Sequence, residues 1–328
     1  MRLSIVNVIF MKNCLLVTLL LLLMSCSQKS KVEKEISAIP MEVDIIRFDK
    51  EFALITPESL SALKGKYPMF FPAKFHDSIW LQKIEDTLQD NLNKAVLEKF
   101  PSEENLEIEL RSLFQHIKYY FPTFESPTVI TVTSEVDYKN KIIISDSLLI
   151  IAADTYLGRD HPFYIGIKKY ISQNLDASQL GPDIVSAYAR QLVARPQKRS
   201  LLAQMIFYGK ELYLKDLWLP SLRDARKIGY SEAQLIWAQE NERDMWRYFI
   251  EKELLFSTNN KLATQFINLA PFSKFYLEID NDSPGMVGRF IGWQIVRSYI
   301  KNNESSLQEL LVLDAETLFN KSKYKPSK

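Results

Sequence analysis

Cysteine is the residue type whose chemistry the sequence locates most directly. There are two, Cys14 and Cys26, among 328 residues. Cys26 follows small Ser25 and the apolar run Leu15–Met24. A start whose only charges are basic, followed by such a run, is typical of a signal peptide. Because the run is shorter than the roughly 20 residues that a helix needs to cross a bilayer, we expect cleavage after Ser25.

The residues before this cut resemble the bacterial lipobox. In Leu23-Met24-Ser25-Cys26, an aliphatic residue, a tolerant position and a small residue precede the cysteine that receives diacylglycerol. We therefore predict lipidation of Cys26. An ordinary secretory signal that happens to contain a cysteine is the alternative, and translation could begin at Met11 without moving the cut.

The residue after the lipidated cysteine predicts the location of the protein. It is Ser27 rather than aspartate, which favours the outer membrane by the usual sorting rule of two-membrane bacteria. We expect a membrane-anchored lipoprotein that faces the periplasm, and exposure at the cell surface stays open.

Cleavage also changes the charge and the thiol content. Removing 25 residues leaves 303 and takes the formal net charge from +1 to −1, because the lost segment carries two basic and no acidic residues. A net charge this close to zero does not predict electrostatic binding of nucleic acid. Since Cys14 is removed and Cys26 is used by lipid, the sequence excludes a disulfide, a thiolate nucleophile and a thiolate metal site.

The histidines do not form a metal-binding pattern. His76, His116 and His161 are far apart in sequence, whereas a zinc hydrolase of the HExxH type needs two histidines four residues apart on one helix. The chain also lacks a G-x-S-x-G elbow, a phosphate-binding G-x-x-x-x-G-K-[ST] loop and a G-x-G-x-x-G loop. We predict no metal, no cofactor and no catalytic residue, and a structural role for each histidine.

The rest of the chain predicts a tether and one folded domain. Residues 26–40 are polar, rich in lysine and glutamate, and without apolar periodicity, so we predict a flexible lipidated tether. From Met41 the composition is that of a packed protein, and the chain is 47% hydrophobic and 12% aromatic. No internal repeat divides it, so residues 41–328 are expected to form a single domain.

Local patterns predict a small sheet and many helices. Alternation over Val43–Phe48 predicts a first strand. Thr128–Val136 and Lys141–Ala152 are rich in β-branched residues and predict a hairpin that turns at Tyr138-Lys139-Asn140. Helices are predicted from Thr56-Pro57, two or three times between Asp77 and Tyr120, and over Pro182–Ala194, Ser200–Trp218, Ser231–Leu255 and Val287–Asn302. Ser231 and Gln234 form a capping box. The fold class is α+β, predominantly helical with a small β-sheet.

Three longer strings closely resemble the gliding-motility lipoproteins of the GldB type. They are Asn241–Ser257 (NERDMWRYFIEKELLFS), Phe272–Gly285 (FSKFYLEIDNDSPG) and Gly288–Tyr299 (GRFIGWQIVRSY), and the similarity extends from about Val43 to Leu311. The resemblance implies a component of the surface-gliding apparatus of Bacteroidota, which is linked to type IX secretion. Its expected partners are other gliding and secretion proteins, and the membrane through the lipid.

The same family is distantly similar to predicted zinc-dependent proteases, which implies a degenerate zincin-like core. The helix that would carry HExxH is then Ile184–Arg190, with Ser186 and Arg190 at the ligand positions. The helix of the third ligand is Leu202–Tyr213, with a departure at Tyr208. Because serine and arginine do not replace the imidazole donors that zinc requires, we predict a non-catalytic protein. A zincin-derived hydrolase is the alternative.

If the ancestral cleft persists, five residues are predicted to line it: Arg190, Tyr208, Lys210, Glu211 and Tyr213. Such a set suits an anionic or peptide ligand, so an envelope protein that binds one is a further alternative.

Three other patterns each leave two interpretations open. The amphipathic segment Asn241–Phe256 has a charged face that is either solvated or a docking face for another protein. Gly288 and Gly292 share a helix face and predict close packing, against a helix of this domain or against a partner. Asp280 and Asp282 fit a polar turn or a calcium site.

Overall fold

The computed structural model describes residues 31–145 and 147–327, apart from the side chains of Glu278 and Ile279. The predicted signal peptide, the cut after Ser25, the lipidation of Cys26 and the sorting residue Ser27 lie outside these residues. Residues from Met41 onward form one compact unit, and the described residues up to Pro40 belong to a separate one.

The described part of the predicted tether contains a short helix. Helix α1 spans Lys31–Ser37, and Lys31 and Glu35 approach to 4.0 Å across one turn. The predicted tether therefore includes seven helical residues, and its flexibility stays a prediction. This i,i+4 charge pair supports the helix, and Val32 and Ile36, also four residues apart, share a helix face on which Ile36 is buried.

Helices account for most of the second unit. In chain order they are α2 (Phe48–Ala53), α3 (Leu60–Lys66), α4 (Asp77–Glu85), α5 (Thr87–Lys99), α6 (Glu104–Tyr120), α7 (Lys169–Ser172), α8 (Leu180–Leu192), α9 (Leu201–Trp218), α10 (Asp224–Ile228), α11 (Glu232–Glu240), α12 (Glu242–Glu251), α13 (Lys261–Phe266), α14 (Val287–Asn302), α15 (Leu307–Val312) and α16 (Ala315–Ser322). This confirms the predominantly helical α+β class.

The sheet has four strands in the order β1-β2-β4-β3. They are β1 (Ile45–Ile46), β2 (Thr128–Val132), β3 (Ile142–Ile144) and β4 (Leu148–Ala152). Strands β1, β2 and β4 run parallel, with Val129 beside Ile45 and Leu149, and β3 pairs with β4 in the antiparallel sense. The predicted first strand is shorter than expected, because Phe48 already begins α2.

The predicted hairpin between residues 128–136 and 141–152 is wrong. The second run folds into its own hairpin, β3–β4, and β4 lies parallel to β2. The chain is redirected after β2 because the buried carboxylate of Asp154 accepts hydrogen bonds from the backbone N–H groups of Ser134 (3.0 Å) and Val136 (2.7 Å). Glu135 and Val136 adopt left-handed φ values of 58° and 59° there. The segment that follows Val136 includes Lys139 and Lys141 and connects β2 to the β3–β4 hairpin; we call it the crossover.

The predicted helix Ser231–Leu255 is two helices, α11 and α12. The Ser231–Gln234 capping box is confirmed at the start of α11. Asn241 ends α11 with a φ of −103° and a ψ of 9°, and its side-chain nitrogen donates to the carbonyl oxygen of Trp237 at 2.9 Å. An asparagine side chain that competes for backbone groups is a common helix breaker, and the amphipathic pattern does not detect it.

Helices α9 and α14 cross at the centre of the largest core cluster, which includes Leu202, Met205, Phe290 and Trp293. A second cluster joins the sheet to α6 and α8. Helices α9 and α14 are in close contact because Gly209 and Gly292 meet. A Cβ on Gly292 would overlap the carbonyl oxygen of Met205. The close approach predicted from the glycine spacing is confirmed, and another helix of the same domain provides it.

Candidate functional site

A polar cleft lies beside α8, α9 and α10, with a volume of about 380 Å³. Its walls are Asp183 and Ser186 of α8, Glu211 and Lys215 of α9, and residues of the crossover that follows β2. The neighbouring residues Ser186 and Glu211 are in direct contact, with 2.6 Å between the serine Oγ and the glutamate Oε1. The cleft is therefore lined by both helices for which the sequence analysis predicts a degenerate zincin-like core.

A lysine supplies the positive charge beside this glutamate. The Nζ atom of Lys215 lies 3.5 Å from Oε1 of Glu211 and donates to the backbone carbonyl of Lys227 at 3.0 Å. The side chains of Lys215 and Glu211 are only 8% and 10% exposed. Burial lowers the pKa of Lys215, and the charge of Glu211 opposes that shift. The pair is a buried ion pair with a neutral neighbour, Ser186.

Asp183, the second carboxylate of the cleft, is also engaged within the protein. It forms an ion pair with Lys141 of the crossover, and the hydroxyl of Tyr156 donates to it at 3.0 Å. Burial, followed by the charge of Asp183, raises the pKa of Tyr156 well above its ordinary value. Neither carboxylate is left as a free base.

Behind the cleft lies a charge network that ties α9 to α10 and α14. Asp216 accepts hydrogen bonds from Trp293 Nε1 (2.9 Å) and Arg297 Nη2 (2.7 Å), and Lys227 Nζ lies 2.9 Å from it. Arg297 also donates to Asp224 at 2.8 Å. Burial acts to lower the pKa of Arg297, but its hydrogen bonds to the two aspartates outweigh burial and raise it. Each charged side chain of this network has a partner of opposite charge within it, so the network has a structural role.

The five residues predicted to line a cleft are not brought together. Of the five, only Glu211 lines the polar cleft. Arg190 is exposed near the end of α8, and the guanidinium of Arg289 stacks on the ring of Tyr208 at 3.9 Å. Tyr213 packs against the core, where burial raises its pKa to about 12.

Lys210 belongs to a different part of the molecule. Its Nζ donates to the carbonyl oxygens of Leu313 (2.6 Å) and Leu311 (3.2 Å), in a separate cavity of about 350 Å³ beside residues 312–316. Burial lowers the pKa of Lys210 to about 8. The predicted grouping fails because helix residues rotate by 100° each, so Lys210 and Glu211 project from different sides of α9.

The residues present do not fit a zinc ion. The described residues contain no group of three or more histidine, cysteine, aspartate or glutamate side chains that could hold a metal. His76 and His161 accept hydrogen bonds at the starts of helical turns, and His116 bonds to the carbonyl oxygen of Ser112 at 2.8 Å. The positive charge beside Glu211 is the ammonium of Lys215.

A second concavity, the α12 groove, has a volume of about 370 Å³ and lies beside the amphipathic helix. Its lining includes Trp237, Tyr248 and Leu277. The charged face of α12 is paired within itself, because Arg247 lies 2.9 Å from Asp244 and 3.9 Å from Glu251.

The two aspartates of the string Phe272–Gly285 fit the turn interpretation. Asp280 accepts hydrogen bonds from the backbone N–H groups of Phe275 (3.0 Å) and Tyr276 (2.9 Å). A carboxylate that closes a turn in this way is an ordinary structural element.

Comparison with known families identifies the chain's family. The family model described as gliding motility protein GldB matches residues 29–326. The chain belongs to the GldB family. No curated protein and no solved structure matches it. This confirms the family resemblance and makes the chain a gliding-motility lipoprotein, whereas the similarity to a zincin core stays a prediction. Within the described residues, no helix is long and apolar enough to span a membrane.

Sequence reasoning missed the residues that define the cleft of this GldB-family protein. Asp183, Lys215 and Lys227 were not predicted to lie there, although α9 carries the necessary signal. Apolar residues occur on every side of this helix, a pattern that is typical of a buried helix. Charged residues within it, such as Lys215 and Asp216, must therefore be buried with partners.

Proposed function

We propose that this GldB-family lipoprotein is a non-catalytic component of the gliding-motility machinery, linked to type IX secretion, that works through contacts with other envelope proteins. It is anchored by lipid at Cys26 in the outer membrane and faces the periplasm. Family membership supports the gliding role. The further steps rest on the chemistry of the polar cleft and on the surface beside α12.

The observation that carries the non-catalytic part is the group Ser186, Glu211 and Lys215. A general base must reach a substrate proton, and a catalytic metal needs donors with free lone pairs. Here the carboxylate contacts a hydroxyl at 2.6 Å and an ammonium at 3.5 Å, and both charged side chains are buried. This arrangement favours stability of the helix pair over chemistry.

The contact role is supported by the apolar lining of the α12 groove. Trp237, Tyr248, Phe275 and Leu277 line it, and Leu277 is 53% exposed. Apolar side chains grouped beside a concavity and rimmed by charges are typical of protein interaction sites.

Site-specific crosslinking in living cells tests this proposal. A photo-crosslinking residue at Lys252 or Leu277, two exposed residues that line the α12 groove, reports on it, and one at Leu88, which is 65% exposed on α5, is the matched control. We expect the groove positions to capture envelope proteins whose loss stops gliding, and Leu88 to capture none. If neither groove position captures a gliding or secretion protein, the docking role is contradicted.

A further inference from the structure

A second cavity adjoins the polar cleft and shares Asn174 with it. This smaller cavity has a volume of about 150 Å³ and is lined by Arg159, Arg223 and Arg226, together with Glu232. The larger one is lined by five basic side chains, Lys139, Lys141, Lys215, Lys227 and Arg289. We call the two cavities together the basic cleft.

The basic cleft concentrates positive charge in a chain that is nearly neutral overall. Eight basic and three acidic side chains line it, while the whole chain has a formal net charge of +1. The acidic residues Asp183, Glu211 and Glu232 are each paired with a basic residue of the cleft. Within the described part of the chain, Lys139, Arg159, Arg226 and Arg289 form no ion pair.

The position of these charges limits the occupant. Several lie inside a concavity rather than on a flat face, and two of the unpaired ones, Arg226 and Arg289, are half-buried. Anionic membrane surfaces attract exposed basic segments, which fits these half-buried arginines poorly. The larger cavity also has apolar walls, including Ile171, Leu269 and Met286. A ligand that fills it needs both negative and apolar groups.

We propose that the basic cleft binds an acidic peptide segment of a partner protein, with carboxylates toward the arginines and lysines and apolar side chains against the cavity wall. This inference rests on the proposed docking role and adds the chemistry of one partner. A cavity of about 380 Å³ is in the size range of sites that enclose a small ligand or several peptide groups. Complementary charge fixes the orientation of such a segment and excludes basic partners.

Peptide binding to the full-length lipoprotein in detergent tests the proposal. The probe is a fluorescent octapeptide of alternating glutamate and leucine, and the same peptide with lysine in place of glutamate is the negative control. We expect anisotropy to show saturable binding of the acidic peptide only. The affinity falls as salt is raised, since the exposed charges of the cleft are screened.

Two matched triple variants separate the cleft from general electrostatics. Lys139→Glu, Arg159→Glu and Arg223→Glu change exposed residues of the cleft, whereas Arg190→Glu, Arg199→Glu and Lys301→Glu change exposed residues that line neither cavity. The first set should weaken peptide binding by about tenfold or more, and the second by about twofold or less. Thermal unfolding of both variants verifies that they are folded.

Other outcomes would overturn the inference. Equal weakening by both triple variants would show that the peptide follows net charge and not the cleft. Glycerol phosphate, the soluble head of an anionic phospholipid, binding more tightly than the peptide would assign the cleft to lipid or free phosphate. If crosslinks form at Lys252 and Leu277 while the wild-type protein binds no acidic peptide, the docking role stands and the acidic-segment proposal fails.

Discussion

Helix α9 presents two opposite kinds of surface to its neighbours. Toward α14 it offers Met205 and Gly209, and the backbones come so close that a single added methyl group would overlap a carbonyl. Toward α8 it offers Glu211 and Lys215, a buried ion pair beside Ser186. The first surface is stabilised by shape, and the second depends on each charge keeping its partner. Substitutions on the two surfaces should therefore fail for different physical reasons.

The largest expected effect is on the packed surface. Gly292→Ala should lower the free energy of unfolding by about 3 kcal/mol or more, because overpacking of a rigid core already costs about 1–3 kcal/mol and the obstacle here is backbone. Gly65→Ala is the control, since its Cβ would meet nothing within 4 Å, and it should be neutral or stabilising by up to about 1 kcal/mol. Urea unfolding measures both. Equal effects would show that the contact does not limit stability.

The next effect tests the charge network that fixes α9 to α14 from behind. Arg297→Ala leaves Asp216 and Asp224 without their main partner. Breaking a fully buried pair costs about 3–5 kcal/mol, and with Arg297 30% exposed we expect about 2 kcal/mol. Arg247→Ala removes a surface pair of the same type and should cost about 0.5 kcal/mol or less. A cost for Arg297→Ala no greater than for Arg247→Ala would rule out the network as a support.

Lys210, on a third side of α9, gives a pH-dependent test. Burial lowers its pKa to about 8 in the folded protein, whereas a free lysine titrates near 10.4. Between these values the unfolded chain holds more protons, so stability rises with pH. The free energy of unfolding of the wild type, relative to Lys210→Met, should increase by about 1.5 kcal/mol from pH 8 to pH 9.5. A difference that falls with pH would contradict the assignment; Lys215 is common to both proteins and cancels.

The smallest expected effect lies at the hydroxyl of the polar cleft. Ser186→Ala removes the contact with Glu211 and should cost about 1 kcal/mol. Ser61→Ala, at an exposed position of α3, should be neutral or slightly stabilising because alanine favours helices. Guanidinium unfolding of the two variants gives the comparison. If Ser186→Ala were as neutral as Ser61→Ala, the hydroxyl would not contribute to holding α8 against α9.

The packed surface could be predicted from sequence, and the polar one could not. The spacing of Gly288 and Gly292 identifies a helix face that needs a close neighbour, and α14 spans the predicted residues. Glycine spacing carries this information locally. The partners of Lys215 and Asp183 come from distant segments, so no local pattern specifies them.

Two errors in the predicted fold have the same origin. The β-branched runs before and after the crossover correctly indicate strands, but they do not say which strand pairs with which. Strands β2 and β4 pair in parallel, and the turn that follows β2 is held by hydrogen bonds to Asp154. The break at Asn241 depends on one side-chain hydrogen bond. Periodicity reports burial, whereas single polar side chains decide where the chain turns.

The central claim is that the cation beside Glu211 is the ammonium of Lys215 and not a metal ion. The metal content of the protein tests this claim most directly. Purified full-length protein should contain no stoichiometric zinc by mass spectrometry, and a chelator should leave its unfolding midpoint unchanged. One equivalent of zinc per chain, lost together with stability on chelation and absent from Glu211→Gln, would contradict the account.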